Sequence, residues 1–514
     1  MAKRKREQAA DDVSSKSQRA AAAQNARNSA APAPDPAAPV SLQIITGSYE
    51  RVLHGLAATI GSQPEQKADP KDASAVKFAD TFLFNAHASA IRCLALSPPS
   101  DSSDPKSQKV ILASGSTDER INLYQLSTAP PPTNSHPSIP TLTGTPVTHN
   151  PKNREMGSLI HHSSNVSALH FPSRSKLFSG ADDNTIAISR TRDWTVLSSI
   201  KAPIPKAQGR PSGDTAGPGE VPTGINDFAV HPSQKLMISV SKGEKCMRLW
   251  NVMTGKKASV LNFDRELLQT VGEGKWSTGE GRKVKWSPDG EEWVVAFERG
   301  FVVYGLDSRP KSQTLPRPMT KIHQVHYVPG LSEDLGDILA ISTEDGRILF
   351  YSTKETVTPE AGSQAVKTGK EVAVPSCKLV AQLGGREAGL AGRIKDFEIL
   401  PVSEEADQFH IVTGSSDGAV RIWRLSQGEL SLPADDAANG TPKKKAGEQS
   451  DDKAATISNT LSAKQVGELI GTHETGNRIT CLKAFVMNGT PEDDNEAPED
   501  EKDAPSSSDD SDSE

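Results

Sequence analysis

The chain has 514 residues and a net charge of −7; hydrophobic residues make up 35% and aromatics 5%, while glycine (39) and proline (36) are plentiful, so a compact core must coexist with long unstructured insertions. No run of 18 apolar residues occurs and the start has no apolar signal-type stretch, which argues against membrane insertion and secretion. The four cysteines, Cys93, Cys246, Cys377 and Cys481, are scattered without a CxxC pair, which argues against a disulfide framework and for a reducing compartment.

Residues 1–40 are rich in Ala, Pro, Ser and Gln and open on a basic run, Lys3, Arg4, Lys5 and Arg6. Such a segment buries too little apolar surface to offset its ordering entropy, so a disordered arm is expected, with the basic run as a nuclear-localisation signal. At the other end, Pro491 to Glu514 carries 12 acids against one lysine, a net −11 that leaves the rest of the chain at +4. Residues 489–514 are expected to form a disordered acidic tail able to bind basic partners.

Between these ends one pattern recurs: an apolar run, a tight turn holding an acid, and a second apolar run that reaches an aromatic or its replacement six positions after the acid. In chain order the pairs are Glu50/Leu56, Asp118/Tyr124, Asp183/Ser189, Glu244/Trp250, Glu298/Tyr304, Asp345/Tyr351 and Asp417/Trp423, the last in TGSSDGAVRIWRL. Each copy reads as an antiparallel strand pair joined by a Gly/Ser/Asp turn. Blade-sized repeats of this kind look like WD40 repeats and predict an all-β fold, a seven-bladed β-propeller over residues 41–488 between the two disordered tails. One blade cannot bury both faces of its sheet alone, and packing neighbours around a ring covers both.

The expected blades run from Ile91 to His161, Val166 to Ile200, Ile225 to Phe263, Lys283 to Leu315, Ile322 to Leu383 and Ile394 to Ile470. The remaining blade is expected to be shared, with residues 42–87 supplying three strands and 476–488 the innermost one. Pro- and Ser-rich insertions at 57–76, 98–108, 127–155, 329–337, 354–375, 401–409 and 427–464 all fall on one face of such a ring. Only 205–222 and 266–281 fall on the other, so the tight-turn face is expected to stay open as the docking surface.

On that face, Tyr49, Arg51, Thr117, Arg120, Asp182, Glu344 and Ser416 flank the turn acids, and Arg393, Lys395 and Arg478 stand near the starts of innermost strands. Together they predict a mixed, partly basic rim suited to protein or RNA-backbone contact. The turn acids themselves read as structural, their carboxylates accepting hydrogen bonds from turn N–H groups. In WD40 proteins such an acid pairs with a histidine ahead of the innermost strand, a position that His87, His161 or His162, and His473 occupy. Because Ser, His and Asp recur blade by blade, and no G-x-S-x-G, phosphate-binding glycine loop or His/Cys cluster with ligand spacing accompanies them, no catalytic residue, cofactor or metal is expected.

The stretches LQIITGSYERVLHGL, NAHASAIRCLAL, LFSGADDNTIAI, VKWSPDG, HIVTGSSDGAVRIW and NRITCLKAF resemble one branch of WD-repeat proteins, the nucleolar large-ribosomal-subunit (pre-60S) assembly factors also described as p21-activated-kinase-interacting regulators. The GSYE…L-x-G opening is the distinctive part. The resemblance implies a non-enzymatic nuclear or nucleolar scaffold that joins pre-60S particles and contacts assembly factors and ribosomal-like proteins, with pre-rRNA touched indirectly. It also implies a rival reading, a negative regulator that binds a p21-activated protein kinase; a histone or chromatin adaptor using the acidic tail is a third. Animal members of the branch end in a lysine-rich tail. The acidic end here points instead to shielding or recruiting basic ribosomal proteins.

Overall fold

A computed structural model describes residues 39–61, 76–101, 107–131, 147–204, 223–274, 277–332, 335–357, 374–390, 392–402, 407–431 and 464–488. Lys3, Arg4, Lys5 and Arg6, the acidic tail, the insertion at 205–222 and the middles of most other insertions lie outside these residues.

Among the described residues, 28 strands, β1 to β28 in chain order, form seven four-stranded antiparallel sheets. The innermost strands are β4 (Ile91–Leu96), β8 (Val166–Ser173), β12 (Ile225–Val230), β16 (Lys283–Trp286), β20 (Ile322–Tyr327), β24 (Ile394–Pro401) and β28 (Ile479–Val486). Each packs beside the next, and β24 beside β28 and β28 beside β4 close the ring, so the architecture is a seven-bladed propeller. The closing sheet has the order β28-β1-β2-β3, in which β1 (Val40–Ser48), β2 (Val52–Ile60) and β3 (Val76–Asn85) come from the start of the chain. Leu42 stands opposite Val486 and Gly47 opposite Cys481 in that ladder.

Period-two side-chain alternation glues the ring. In β17 (Glu292–Ala296), Trp293 and Val295 enter the cluster shared with the preceding blade, and Val294 and Ala296 the cluster shared with the following one. The same division holds in β18 (Phe301–Gly305), with Val302 and Tyr304 on one side and Phe301 and Val303 on the other. Seven apolar clusters result, one at each blade junction. Both faces of the central strands of each blade are thereby largely removed from water, while outer strands such as Lys256–Asn262 stay exposed.

The Gly-Ser step of the repeat has a packing cause. Gly115, in β5 (Lys109–Ser116), lies where a Cβ would stand 2.7 Å from Cys93 Sγ and 2.7 Å from Val166 Cγ1 of the next blade. Gly55 of the L-x-G opening is similar, its Cβ position 2.4 Å from the Phe82 ring beside a bulge between β2 and β3. Gly115→Val is expected to destabilise the protein by about 1–3 kcal/mol through overpacking. A thermal melt checks it, and Val166→Ala in the same chain should recover part of the loss.

One expected loop differs. At the start of the 266–281 insertion, residues Arg265–Thr270 form a short helix, α1, whose Leu268 is buried with Val271 against the blades on either side. The insertion therefore contributes to the core rather than lying over it.

Candidate functional site

The turn acids are positioned by their turns, and in five of the seven the next residue is left-handed: Arg51 (φ 73°), Glu119 (φ 68°), Asn184 (φ 60°), Gly346 (φ 82°) and Gly418 (φ 90°). Asp118 accepts from the N–H groups of Ala88 (2.9 Å) and Arg120 (3.1 Å) and meets His87 Nδ1 at 3.1 Å, while His87 Nε2 reaches Ser114 Oγ at 2.8 Å. Burial pushes the Asp118 carboxyl up, but these donors outweigh it and hold it below the usual carboxylate range. Asp183 repeats the arrangement with His162 (3.1 Å), Thr185 and Ser163, and His162 Nε2 takes Ser179 at 2.8 Å.

The other acids find different partners. Glu244 pairs with Arg248, Asp345 with Arg347 (2.6 Å) and Asp417 with Arg421 (3.2 Å). Glu298 takes Arg282 and Lys321, and Glu50 accepts the Arg478 N–H at 2.9 Å. The expected pairing of His473 with a turn acid is corrected: it lies in β27 (Glu468–Glu474), stacked on Phe78 at 5.2 Å. Its ring faces Phe78 and the His54–Asp80 pair, while Asp417 in the neighbouring turn is taken by Arg421.

His54, Asp80 and His473 come from three strands to within 4.8 Å, the one set of metal-ligating type found among the described residues. His54 Nε2 already meets Asp80 Oδ1 at 2.7 Å, so a cation there would have to displace that bond. The three are too far apart in sequence for spacing to reveal them.

Where the tight turns and the starts of the innermost strands meet, they surround the mouth of a central cavity of about 1000 Å³ lined from all seven blades. Of the expected rim, Tyr49, Arg51, Thr117, Lys395 and Arg478 line it. Tyr49 is 62% exposed, with the Arg478 guanidinium 5.8 Å from its ring centre. Arg120, Asp182, Glu344, Arg393 and Ser416 do not line it: Asp182 is engaged by Lys242 at 2.6 Å and Glu344 by Arg393 at 3.2 Å.

Sequence reasoning missed Arg92, Lys283, Lys285 and Lys483, which also line the cavity. Their signal was available: Arg92 and Lys395 each follow the isoleucine that opens an innermost strand, Ile91 and Ile394. At that place the ladders with β5 and with β25 (Gln408–Ser415) are bulged, leaving the following residue unpaired and free to turn toward the axis. The lining holds nine lysines and arginines against three acids. Two of those acids are held by the wall, Asp227 accepting the Val284 N–H (3.1 Å) and Asp396 the Leu482 N–H (2.9 Å). Such a surface carries a positive potential that favours anions.

The family described as WD domain, G-beta repeat matches residues 79–125 and 153–188. A chicken (Gallus gallus) protein named p21-activated protein kinase-interacting protein 1-like is 25% identical over 76% of this chain and 74% of its own length. Protein MAK11 of Saccharomyces cerevisiae is 27% identical over 75% of this chain and 78% of its own. Shk1 kinase-binding protein 15 of Schizosaccharomyces pombe is 22% identical over 74% and 77%. No helix among the described residues is long and apolar enough to cross a membrane.

Proposed function

This chain belongs to the WD40-repeat proteins, and on that premise we propose that it is a non-enzymatic nuclear or nucleolar scaffold in assembly of the large ribosomal subunit. The tight-turn rim docks assembly factors and ribosomal-like proteins. The observation that carries this reading is the basic mouth, where Arg51, Lys395 and Arg478 stand beside exposed Tyr49. Aromatic and arginine side chains around a depression are the usual anchors of a protein interface. The GSYE…L-x-G opening supports the ribosomal setting through the branch that it resembles. In this reading Lys3, Arg4, Lys5 and Arg6 direct the chain to the nucleus, and the acidic tail holds basic partners.

The tagged full chain should co-sediment with large-subunit precursors. Lys395→Glu combined with Arg478→Glu should cut that recovery at least fivefold while the protein stays folded. Absence of the wild-type chain from precursor fractions would remove the reading.

A second reading is favoured by the names of the relatives, several of which describe kinase binding. Under it the same rim docks on the regulatory region of a p21-activated kinase. Stoichiometric, nuclease-resistant capture of that region, with normal subunit ratios after depletion, would select it.

A further inference from the structure

We propose that the central cavity is a binding site for a compact anion carrying several phosphates, a small polyphosphate rather than a macromolecule. This goes beyond the docking rim, because its cations extend below the mouth. Arg51 and Arg478 stand at the opening, Arg92 and Lys395 at the bulges, and Lys283 and Lys285 further along the wall.

Among the described residues none of these six makes an ion pair, whereas the other three cations of the lining do: Lys242 with Asp182, Arg282 with Glu298, and Lys483 with Glu398. The acids facing them are Asp227, Asp396 and Glu280, with Glu398 behind Lys483. Asp227 and Asp396 are turned to neighbouring N–H groups, and Glu280 accepts from Gly243 at 2.7 Å. Cations free of ion pairs therefore outnumber the acids by six to three around one half-open cavity.

The walls register the crowding. Burial, reinforced by Lys395 and Arg393, lowers His323 to about 4, and burial followed by Arg393 and Arg478 lowers Lys395. His323 Nε2 is buried with no hydrogen-bond partner. Like charges gathered between low-dielectric walls repel one another, and a polyanion seated among them converts the repulsion into attraction. Cations at several depths suit phosphates pointing in several directions. A cavity of about 1000 Å³ matches the size of a small-molecule pocket.

The test uses the full chain with inositol hexakisphosphate and tripolyphosphate as probes, titrated calorimetrically against sulfate at equal ionic strength. Both polyphosphates should bind and raise the melting temperature, and sulfate should not. Arg92→Gln with Lys285→Gln, two substitutions outside the docking rim, should weaken polyphosphate binding at least tenfold without lowering the melting temperature of the free protein. If this double variant melts early, Lys283→Gln alone provides the same comparison. No binding by the wild-type chain, or unchanged binding by the folded variants, overturns the proposal. Binding of a uridine-rich RNA oligomer that these substitutions abolish, with no binding of either small probe, also overturns it.

Discussion

Removal of residues 476–488 is expected to abolish cooperative unfolding of the entire ring rather than to fray one edge. The segment contains β28, which pairs along β1 from Ser48 to Leu42 and so holds the first three strands to the last blade. Ile479, Leu482 and Ala484 sit in the cluster with the preceding blade, and Cys481 in the cluster with the following one. Polar stitches add to this: the Leu482 N–H donates to Asp396 at 2.9 Å, and Thr480 Oγ1 donates to Ile91 O at 2.6 Å. Burying an isoleucine or leucine contributes roughly 1.5–3 kcal/mol. Losing several at once, together with a ladder of hydrogen bonds, approaches the roughly 5–15 kcal/mol that typically separates folded from unfolded. The shortened chain should be recovered aggregated or without a sharp melt. Leu482→Asp, which buries a charge at the same place, should behave alike. A sharp transition within a few degrees of the wild type would show that the other six blades stand alone.

Acidification from pH 7.5 to 5 should destabilise the protein strongly, with histidines rather than carboxylates responsible. His410, 3% exposed in β25, is lowered by burial and by nearby Arg424 to about 4. His161 is lowered to about 4 by burial and His162, against the pull of Asp183. His170 is lowered to about 3 by burial, then Lys285 and Lys483, and His326 is lowered well below its ordinary value by burial and the same lysines with Lys283. A group whose folded pKa lies below its unfolded value of about 6.5 binds fewer protons when folded in the window between the two. The stability tied to it is intact above that window and is lost as pH falls through it. For His410 alone the loss is about 2 kcal/mol by pH 5. Asp118 and Asp183, both held low, act in the same direction but only below about 4. Urea midpoints at pH 7.5, 6 and 5 should fall steadily, and His410→Leu should flatten the slope. A midpoint unchanged between pH 7.5 and 5 would contradict this account.

The fold was legible because the ring repeats one piece of local chemistry. Asp118 and Asp417 announce the same turn 299 positions apart, and turn geometry depends on neighbouring residues only. Helix α1 escaped because six residues, Arg265–Thr270, are too few to show a 3.6-residue period. His473 was misplaced because a histidine ahead of an innermost strand and a histidine ending an outer strand look the same along the chain. The cavity lysines escaped for a related reason. Lys283 and Lys285 alternate with Val284 as any half-exposed strand would, and nothing local says whether the polar side meets bulk solvent or a shared axis. The face toward the axis is a property of the closed ring, so Lys395 entered the expected rim through its nearness to a strand start and not through its direction.

Because β1 and β28 run antiparallel and the Met487 N–H donates to Ser41 O at 2.8 Å, the first and last strands meet almost end to start. The position of the break in the covalent loop is thus incidental to the packing: a short peptide joining residues 488 and 40, with a new opening cut in another interblade link, would give a permuted chain with the same disc. The propeller has a seam only in its connectivity, and that seam can move without disturbing the packing of the blades.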